Sequence, residues 1–305
     1  MNVLEKIKQT IRLIWAMDIR LQKIQHSLGR IENRQIMTLS NEKFDDHEFQ
    51  VYSQWGEDGL IQYLIRELVI ECPIFVEFGV EKYTESNTRF LLTNNNWSGL
   101  VIDGSEQNIQ YIKNDPVYWK HNLKVECAFI DTENINELIM QNGIKGDIGL
   151  LSVDIDGNDY WVWEAIDAVS PRIVICEYNS LWGDTEAVTT PYAPLFIRSK
   201  SHVSNLYYGA SIVALSKLAK TKGYSLVGSN KAGNNVFFVR DDLLQGVKVL
   251  SAREAWVQSQ FRESKDLHGR LTFLSFRDRL KEVADMTLVN LSDCKEYKIR
   301  DIYGL

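Results

Sequence analysis

Ile74-Phe75-Val76-Glu77-Phe78-Gly79 is a run of five residues, four of them apolar, closed by a glycine. Runs this short and apolar, ended by a turn residue, read as strands buried on both faces. Four more follow: 100–102 ending at Asp103, 124–130 ending at Asp131, 148–153 ending at Asp154, and 172–176 ending at Glu177. Between them the apolar spacing becomes helical, as in 134–141, which Asn142-Gly143 can close as a C-cap. Upstream, Leu60, Ile61, Leu64, Ile65 and Leu68 recur at helical spacing over 59–69. Strands alternating with helices predict an α/β fold with a parallel sheet covered on both faces.

Further along, 210–222 reads as a helix, and 224–227 and 236–239 as two strands. The loop between those strands, Gly228-Ser229-Asn230-Lys231-Ala232-Gly233-Asn234, suits an antiparallel pair rather than a parallel crossover.

Ligands of open α/β sheets bind beyond the carboxyl ends of the strands, where strand order reverses. All five of the first strands finish at or beside an acid: Glu77, Asp103, Asp131, Asp154 and Glu177. One such acid can simply start the next helix. Five in succession outline the rim of a site.

The chain of 305 residues carries a net charge of −7, unevenly spread. Residues 1–38 hold seven Lys/Arg against three Asp/Glu, a local +4 that leaves −11 for the rest. An acidic body is a poor match for nucleic acid, whose binding depends on neutralising phosphates. The four cysteines, Cys72, Cys127, Cys176 and Cys294, form no CxxC pair and no zinc spacing. Cys127 and Cys176 sit in apolar runs, so buried reduced thiols and a cytoplasmic setting are expected. No apolar run reaches the length of a membrane span, and the N-terminus lacks a signal peptide's continuous apolar core.

Residues 3–37 read as one helix, within an N-terminal unit of about 1–40. Ile7, Ile14, Leu21 and Leu28 recur every seven residues, with Leu4, Ile11, Ile24 and Ile31 alongside and interruptions at Asp18 and Gln25. The helix either packs on the domain or on a twin subunit in a homo-oligomer, or it attaches to an anionic membrane surface or a partner enzyme. A polar linker around Asn41 to Gln50 precedes the main domain, 50–245. The remainder, 246–305, with Trp256, Phe261, Leu271, Phe273 and Phe276, reads as a helical extension packed on that domain.

Three segments, in this order and spacing, resemble the FkbM-type branch of class I S-adenosylmethionine-dependent methyltransferases: Tyr52-Ser53-Gln54-Trp55-Gly56-Glu57-Asp58-Gly59; Val76-Glu77-Phe78-Gly79-Val80 with Ile102-Asp103-Gly104-Ser105; and Ser152-Val153-Asp154-Ile155-Asp156-Gly157-Asn158-Asp159. The resemblance covers about residues 50–240. It implies a Rossmann-like class I methyltransferase fold, a seven-stranded, mostly parallel sheet with an antiparallel last strand. It also implies S-adenosyl-L-methionine as cofactor and, as acceptor, a hydroxyl of a bacterial sugar, glycan or glycan precursor. By resemblance, Glu77 lies beside the cofactor's amino-acid end, and Gln54, Glu57 and Asp58 pack over the cofactor. Asp131 faces the adenine amino group with Phe129 and Ile130 flanking the ring, unless it caps the next helix. Gln54, Glu57 and Asp58 likewise have a capping alternative.

The cofactor's chemistry makes its own demands. A glycine, here Gly79, must let the first loop approach it. A carboxylate at the end of strand two can accept both ribose hydroxyls, and Asp103, with Gly104 and Ser105 behind it, stands 24 residues beyond Gly79, close to the usual distance of about 20. Methyltransferases place the end of strand four, here Asp154 and then Asp156, nearest the transferred methyl. Asp154, Glu177 and Asn179 could hold one Mg²⁺ that lowers the pKa of a bound hydroxyl. Alternatively Asp154, Glu177 or a histidine takes the proton directly. His202 is the one histidine in the long insertion 180–208, whose Trp182, Tyr192, Phe196, Tyr207 and Tyr208 suit the apolar faces of sugars. The string Asp154-Ile155-Asp156-Gly157-Asn158-Asp159 lacks the position-12 glutamate of an EF-hand and follows a strand, so it is not read as one. Two rivals stand beside the enzyme reading. A nicotinamide-dependent oxidoreductase is disfavoured by the missing GxGxxG. A non-catalytic cofactor-binding module is favoured by the glycine-poor loop 80–84.

Overall fold

A computed structural model describes residues 3–36, 38, 43–259 and 264–305. Asn41 and Phe261 lie outside them; from Lys43 the stretch expected as a linker packs instead, with a 3-10 helix at Phe44–His47 and buried His47 and Phe49. Ten strands are present among these residues: β1 Ile74–Phe78, β2 Ser98–Asp103, β3 Leu123–Cys127, β4 Gly146–Val153, β5 Val169–Glu177, β6 Val188–Thr189, β7 Tyr224–Ser229, β8 Asn235–Arg240, β9 Thr287–Asn290 and β10 Lys295–Lys298. Seven of them form one sheet in the order β3-β2-β1-β4-β5-β8-β7. The first five run parallel, and β8 inserts antiparallel between β5 and β7. This is the Rossmann-like methyltransferase fold that the strand pattern anticipates. The chain builds outward from β1 to β3, returns, and builds the other way from β4, so the switch point falls between β1 and β4.

Alternation along β1 divides the core. Val76 and Phe78 pack into one apolar cluster with the helices Ile135–Gln141, Asp159–Ala165 and Ile212–Lys222. Phe75 packs into the other with Glu57–Glu67, Arg89–Asn94 and Glu106–Asn114. Each fully buried aliphatic or aromatic side chain stabilises the fold by about 1.5–3 kcal/mol. The helix Ile212–Lys222 shows how the ends are set: Ser211 accepts the amide of Ala214, and Gly223, at φ +82°, terminates it in the left-handed region.

Four readings are corrected. The run 124–130 is not one strand, because β3 stops at Cys127. It is an edge strand, and its only neighbour, β2, ends at Asp103 opposite Cys127. Cys127 is accordingly exposed, while Cys176 is buried. The stretch after 245 is not purely helical. Its β9–β10 hairpin joins β6 in a three-stranded sheet, and Leu280, Val283, Leu288 and Ile299 bury Leu181, Trp182, Leu206 and Tyr207 of the 180–208 insertion. Two aromatics expected to face an acceptor, Trp182 and Tyr207, are therefore structural.

The N-terminal helix, Val3–Ile36, touches the domain through its last third. His26 meets Phe90 edge-on, Gly29 packs against Val51, Asn33 donates to Gln62 Oε1 at 3.0 Å, and Ile36 is buried. Among the described residues, no helix is long and apolar enough to cross a membrane.

Candidate active site

A cavity of about 590 Å³ opens at the carboxyl ends of β1, β2, β4 and β5, across the switch point. Gln54, Glu77, Gly79, Asp103, Gly104, Asp154, Asp156 and Glu177 line it, as the sequence anticipates. Phe129 and Ile130 line it too, from the segment that follows β3.

One half is built on the loop after β1. Gly79 takes φ +68°, and a Cβ there would stand 1.8 Å from the carbonyl oxygen of Asp154. The glycine thus lets β1 and β4 end side by side as well as lining the cavity. Beyond it Glu81 and Tyr83 also adopt positive φ, 47° and 58°. A loop with no second glycine is thus curled tightly by non-glycine residues, at a cost on the order of 1 kcal/mol or more each. Asp103 is part of what holds it: Oδ2 accepts the Glu81 amide at 2.8 Å, while Oδ1 accepts the Ser105 amide at 2.8 Å and Asn108 Nδ2 at 3.0 Å. A carboxylate has about four acceptor positions, so Asp103 keeps capacity toward the cavity. Glu77 accepts the Asn87 and Thr88 amides at 2.7 and 3.2 Å and the Thr88 hydroxyl. Burial outweighs those donors and pushes its carboxyl up to about 7.

The other half presents Asp154 and Glu177, with the fully buried Asp159 behind them. Asp154, Asp159 and Glu177 can each present a carboxylate oxygen, all within 4.8 Å of one another. Burial, and then mutual repulsion with Asp156 and Asp159, holds Asp154 well above the ordinary carboxylate range. Glu177 is raised in the same way, with Asp154 the leading charged cause after burial. Asp159 is pushed up to about 6 by burial, against the amides of Ile155 and Gly157, which donate to it at 2.8 Å. Among the described residues, Glu177 Oε2 is buried with no hydrogen-bond partner, and so is Oδ1 of Asn235. These two residues are register partners across β5 and β8, and both line the cavity. Arg198 supplies the counter-charge at the rim, 3.0 Å from Asp156 and stacked 3.7 Å from the Tyr208 ring centre. Phe196 closes over Gly157, where a Cβ would stand 2.2 Å from its ring.

Six expected residues lie elsewhere. Glu57 turns inward: Oε1 accepts Asn230 Nδ2 at 2.6 Å and Asn235 Nδ2 at 2.8 Å, tying the helix start to the β7–β8 loop. Its neighbour Asp58 takes the amides of Val51, Tyr52 and Ser53 on one oxygen, so it pins the loop before the helix, neither acid caps the helix amides, and of the three only Gln54 reaches the cavity. Ser105 caps the helix Glu106–Asn114 by accepting the Asn108 amide. Asp131 accepts the Glu133 and Asn134 amides and closes a turn, because β3 has already ended. Asn179 donates its amide to the carbonyls of Leu206 and Tyr208 and accepts the Leu181 amide on its oxygen, and it lies outside the cavity lining. His202 Nδ1 pairs with Ser204 inside its own loop, away from the cavity lining.

Asp159, Asn235, Phe196 and Arg198 were not singled out as site residues. Asp159 stood within the quoted Asp-Ile-Asp-Gly-Asn-Asp string, and its acidic type was the available signal. Nothing local marks Asn235, which reaches the site only through the antiparallel insertion of β8.

No protein-family model matches the chain, and no curated protein matches it in sequence. Solved structures similar to it include the N-terminal domain of EvdMO1 with SAH bound, at 11% identity and TM-score 0.41, covering 69% of this chain and 95% of that one. An O-methyltransferase from Bacillus cereus in complex with SAH has 11% identity and TM-score 0.38, covering 71% and 91%. An S-adenosylmethionine-dependent methyltransferase from Clostridium acetobutylicum has 12% identity and TM-score 0.38, covering 70% and 98%.

Proposed function

We propose that the protein is an S-adenosylmethionine-dependent O-methyltransferase. One observation carries the reading: Gly79 and Asp103 at the ends of β1 and β2 share a cavity with the acids ending β4 and β5, at the switch point of a sheet whose last strand is antiparallel. Asp103 would accept the ribose hydroxyls. Glu77 orders the 80–88 loop around the amino-acid end, and Gln54 covers it. Phe129 and Ile130 would flank the adenine, and Asp131 would take no direct part.

The acceptor would enter between the acid cluster and the rim formed by Phe196 and Arg198. Its hydroxyl oxygen attacks the methyl carbon, the carbon–sulfur bond breaks with its electron pair passing to sulfur, and the hydroxyl proton goes to Asp154 or Glu177. Their raised proton affinity suits that task. Alignment of oxygen, methyl and sulfur supplies much of the acceleration.

The cluster also fits a hard divalent cation. Asp154, Asp159 and Glu177 offer oxygen ligands, and the orphaned Glu177 Oε2 is an open acceptor. Bound there, Mg²⁺ would supply Lewis-acid activation of the hydroxyl. A bacterial glycan or glycan precursor, handled at the cytoplasmic side, is the acceptor class implied by the resemblance in the three motifs.

The test is calorimetric titration of the whole protein with S-adenosylhomocysteine, using NADH as comparator, then a screen of hydroxylated acceptors with and without Mg²⁺. Binding of S-adenosylhomocysteine without NADH binding, followed by methylation of an acceptor, supports the reading. No binding by folded protein overturns it, and binding without turnover on any acceptor returns the site to a cofactor-binding module.

A further inference from the structure

From Val3 to Gln25 every described side chain of the N-terminal helix is exposed, and contact with the domain begins where Gln25 donates to the Val51 carbonyl. Before that contact the apolar side chains of the helix are exposed, and isolated helices of this length are marginal in water. Ile7, Ile14, Leu21 and Leu28 hold one heptad position. Val3, Met17, Ile24 and Ile31 hold the position three residues later, with Thr10 completing it. The eight apolar members are between 49% and 72% exposed. The Thr10 hydroxyl donates to the Lys6 carbonyl at 3.0 Å, so burying it orphans no donor. At the docked end the seam lies about a third of a turn from Gly29, Asn33 and Ile36, the face that meets the domain.

From this we infer that the seam is a self-association surface, covered by the same helix of a second copy in a coiled coil. Two features choose that occupant. A repeat of strictly seven residues drifts by about 20° per heptad around a straight helix, and a supercoiling helix follows the drift. A flat lipid surface does not, since it needs a stripe at 3.6 residues per turn. Of the seven basic residues, Lys8, Arg12, Lys23 and Arg30 fall on the side opposite the seam and Lys6, Arg20 and Arg34 along one edge of it, and in a two-stranded coiled coil both sets of positions stay in solvent. The half-exposed apolar side chains along some 29 residues, about 42 Å of helix, offer area of the order a specific interface needs, roughly 800 Å² per partner.

The experiment is sedimentation equilibrium of the full chain beside the double variant Ile14→Asp/Leu21→Asp and the conservative Leu21→Ile, with flotation on vesicles containing anionic lipid as a parallel arm. The expected result is a dimer of 35.2 kDa chains for the wild type and Leu21→Ile. The double variant is expected to be monomeric, with its domain melting transition retained. A wild type that stays monomeric at tens of micromolar overturns the inference. So does a dimer that survives the double variant, or a monomer that floats with anionic vesicles through this seam.

Discussion

The carbonyl oxygen of Asp154 occupies the space that a side chain on Gly79 would need: a Cβ on Gly79 would stand 1.8 Å from it. The ends of β1 and β4 are in this way locked together at the switch point, and the cavity floor depends on the absence of one carbon. Gly79→Ala is expected to destabilise the protein by at least about 2 kcal/mol, from the positive φ and the overlap together. Denaturant unfolding measures the loss. An alanine variant as stable as the wild type would show that the strand ends can part freely.

Asp103 joins the two loops that frame the proposed cofactor half. Loss of two charge-assisted hydrogen bonds, each worth about 1.5 kcal/mol, corresponds to about a hundredfold weaker binding. Asp103→Ala is expected to weaken S-adenosylhomocysteine by that factor, and Asp103→Asn by less, since its carbonyl can still accept the Glu81 or Ser105 amide. Equal affinities for wild type and alanine variant in a calorimeter would remove Asp103 from the site.

Glu177 carries a buried oxygen with no partner among other acids, an arrangement that favours function over stability. Glu177→Gln is expected to raise the melting temperature at pH 8 by a few degrees and to lower turnover by about a hundredfold or more. Divalent-cation binding, read by calorimetry with Mn²⁺, should weaken in parallel. A variant that melts lower and turns over normally would contradict both roles.

Stability should fall as pH rises from mildly acidic to neutral. Burial pushes Glu77 up to about 7 and Asp58 and Asp159 up to about 6, above ordinary values of 4.5 and 3.8. Between the unfolded and folded values the native state holds more protons than the unfolded chain, so each rise in pH favours unfolding until the folded value is passed. The ligand-free protein is therefore expected to melt higher at pH 5 than at pH 8, by scanning calorimetry. A melting temperature that climbs steadily over that interval would refute the assignment.

Much of this was legible in residue order. The apolar runs ending at Glu77, Asp103, Asp154 and Glu177 marked four buried strands and four acids that do meet in one cavity. Asp131 misled because an apolar run continues past the end of β3, and composition does not say that an edge strand stops when its neighbour does. Asn179 and Asp159 were exchanged as candidate ligands for a similar reason. Both follow strand ends, but Asn179 meets backbone carbonyls of the 206–208 segment while Asp159 meets Asp154 and Glu177.

Periodicity, turn chemistry and charge by themselves determined the α/β sheet, its antiparallel ending, the acidic rim and the heptad seam of the N-terminal helix, because each is encoded by residues near one another in the chain. Tertiary structure alone decided which acids share the cavity, that Asn235 stands opposite Glu177, that Trp182 and Tyr207 of the 180–208 insertion serve the core, and which face of the N-terminal helix is left uncovered. Those outcomes depend on contacts between segments distant in sequence, and a local pattern does not specify which distant surface will arrive to bury it.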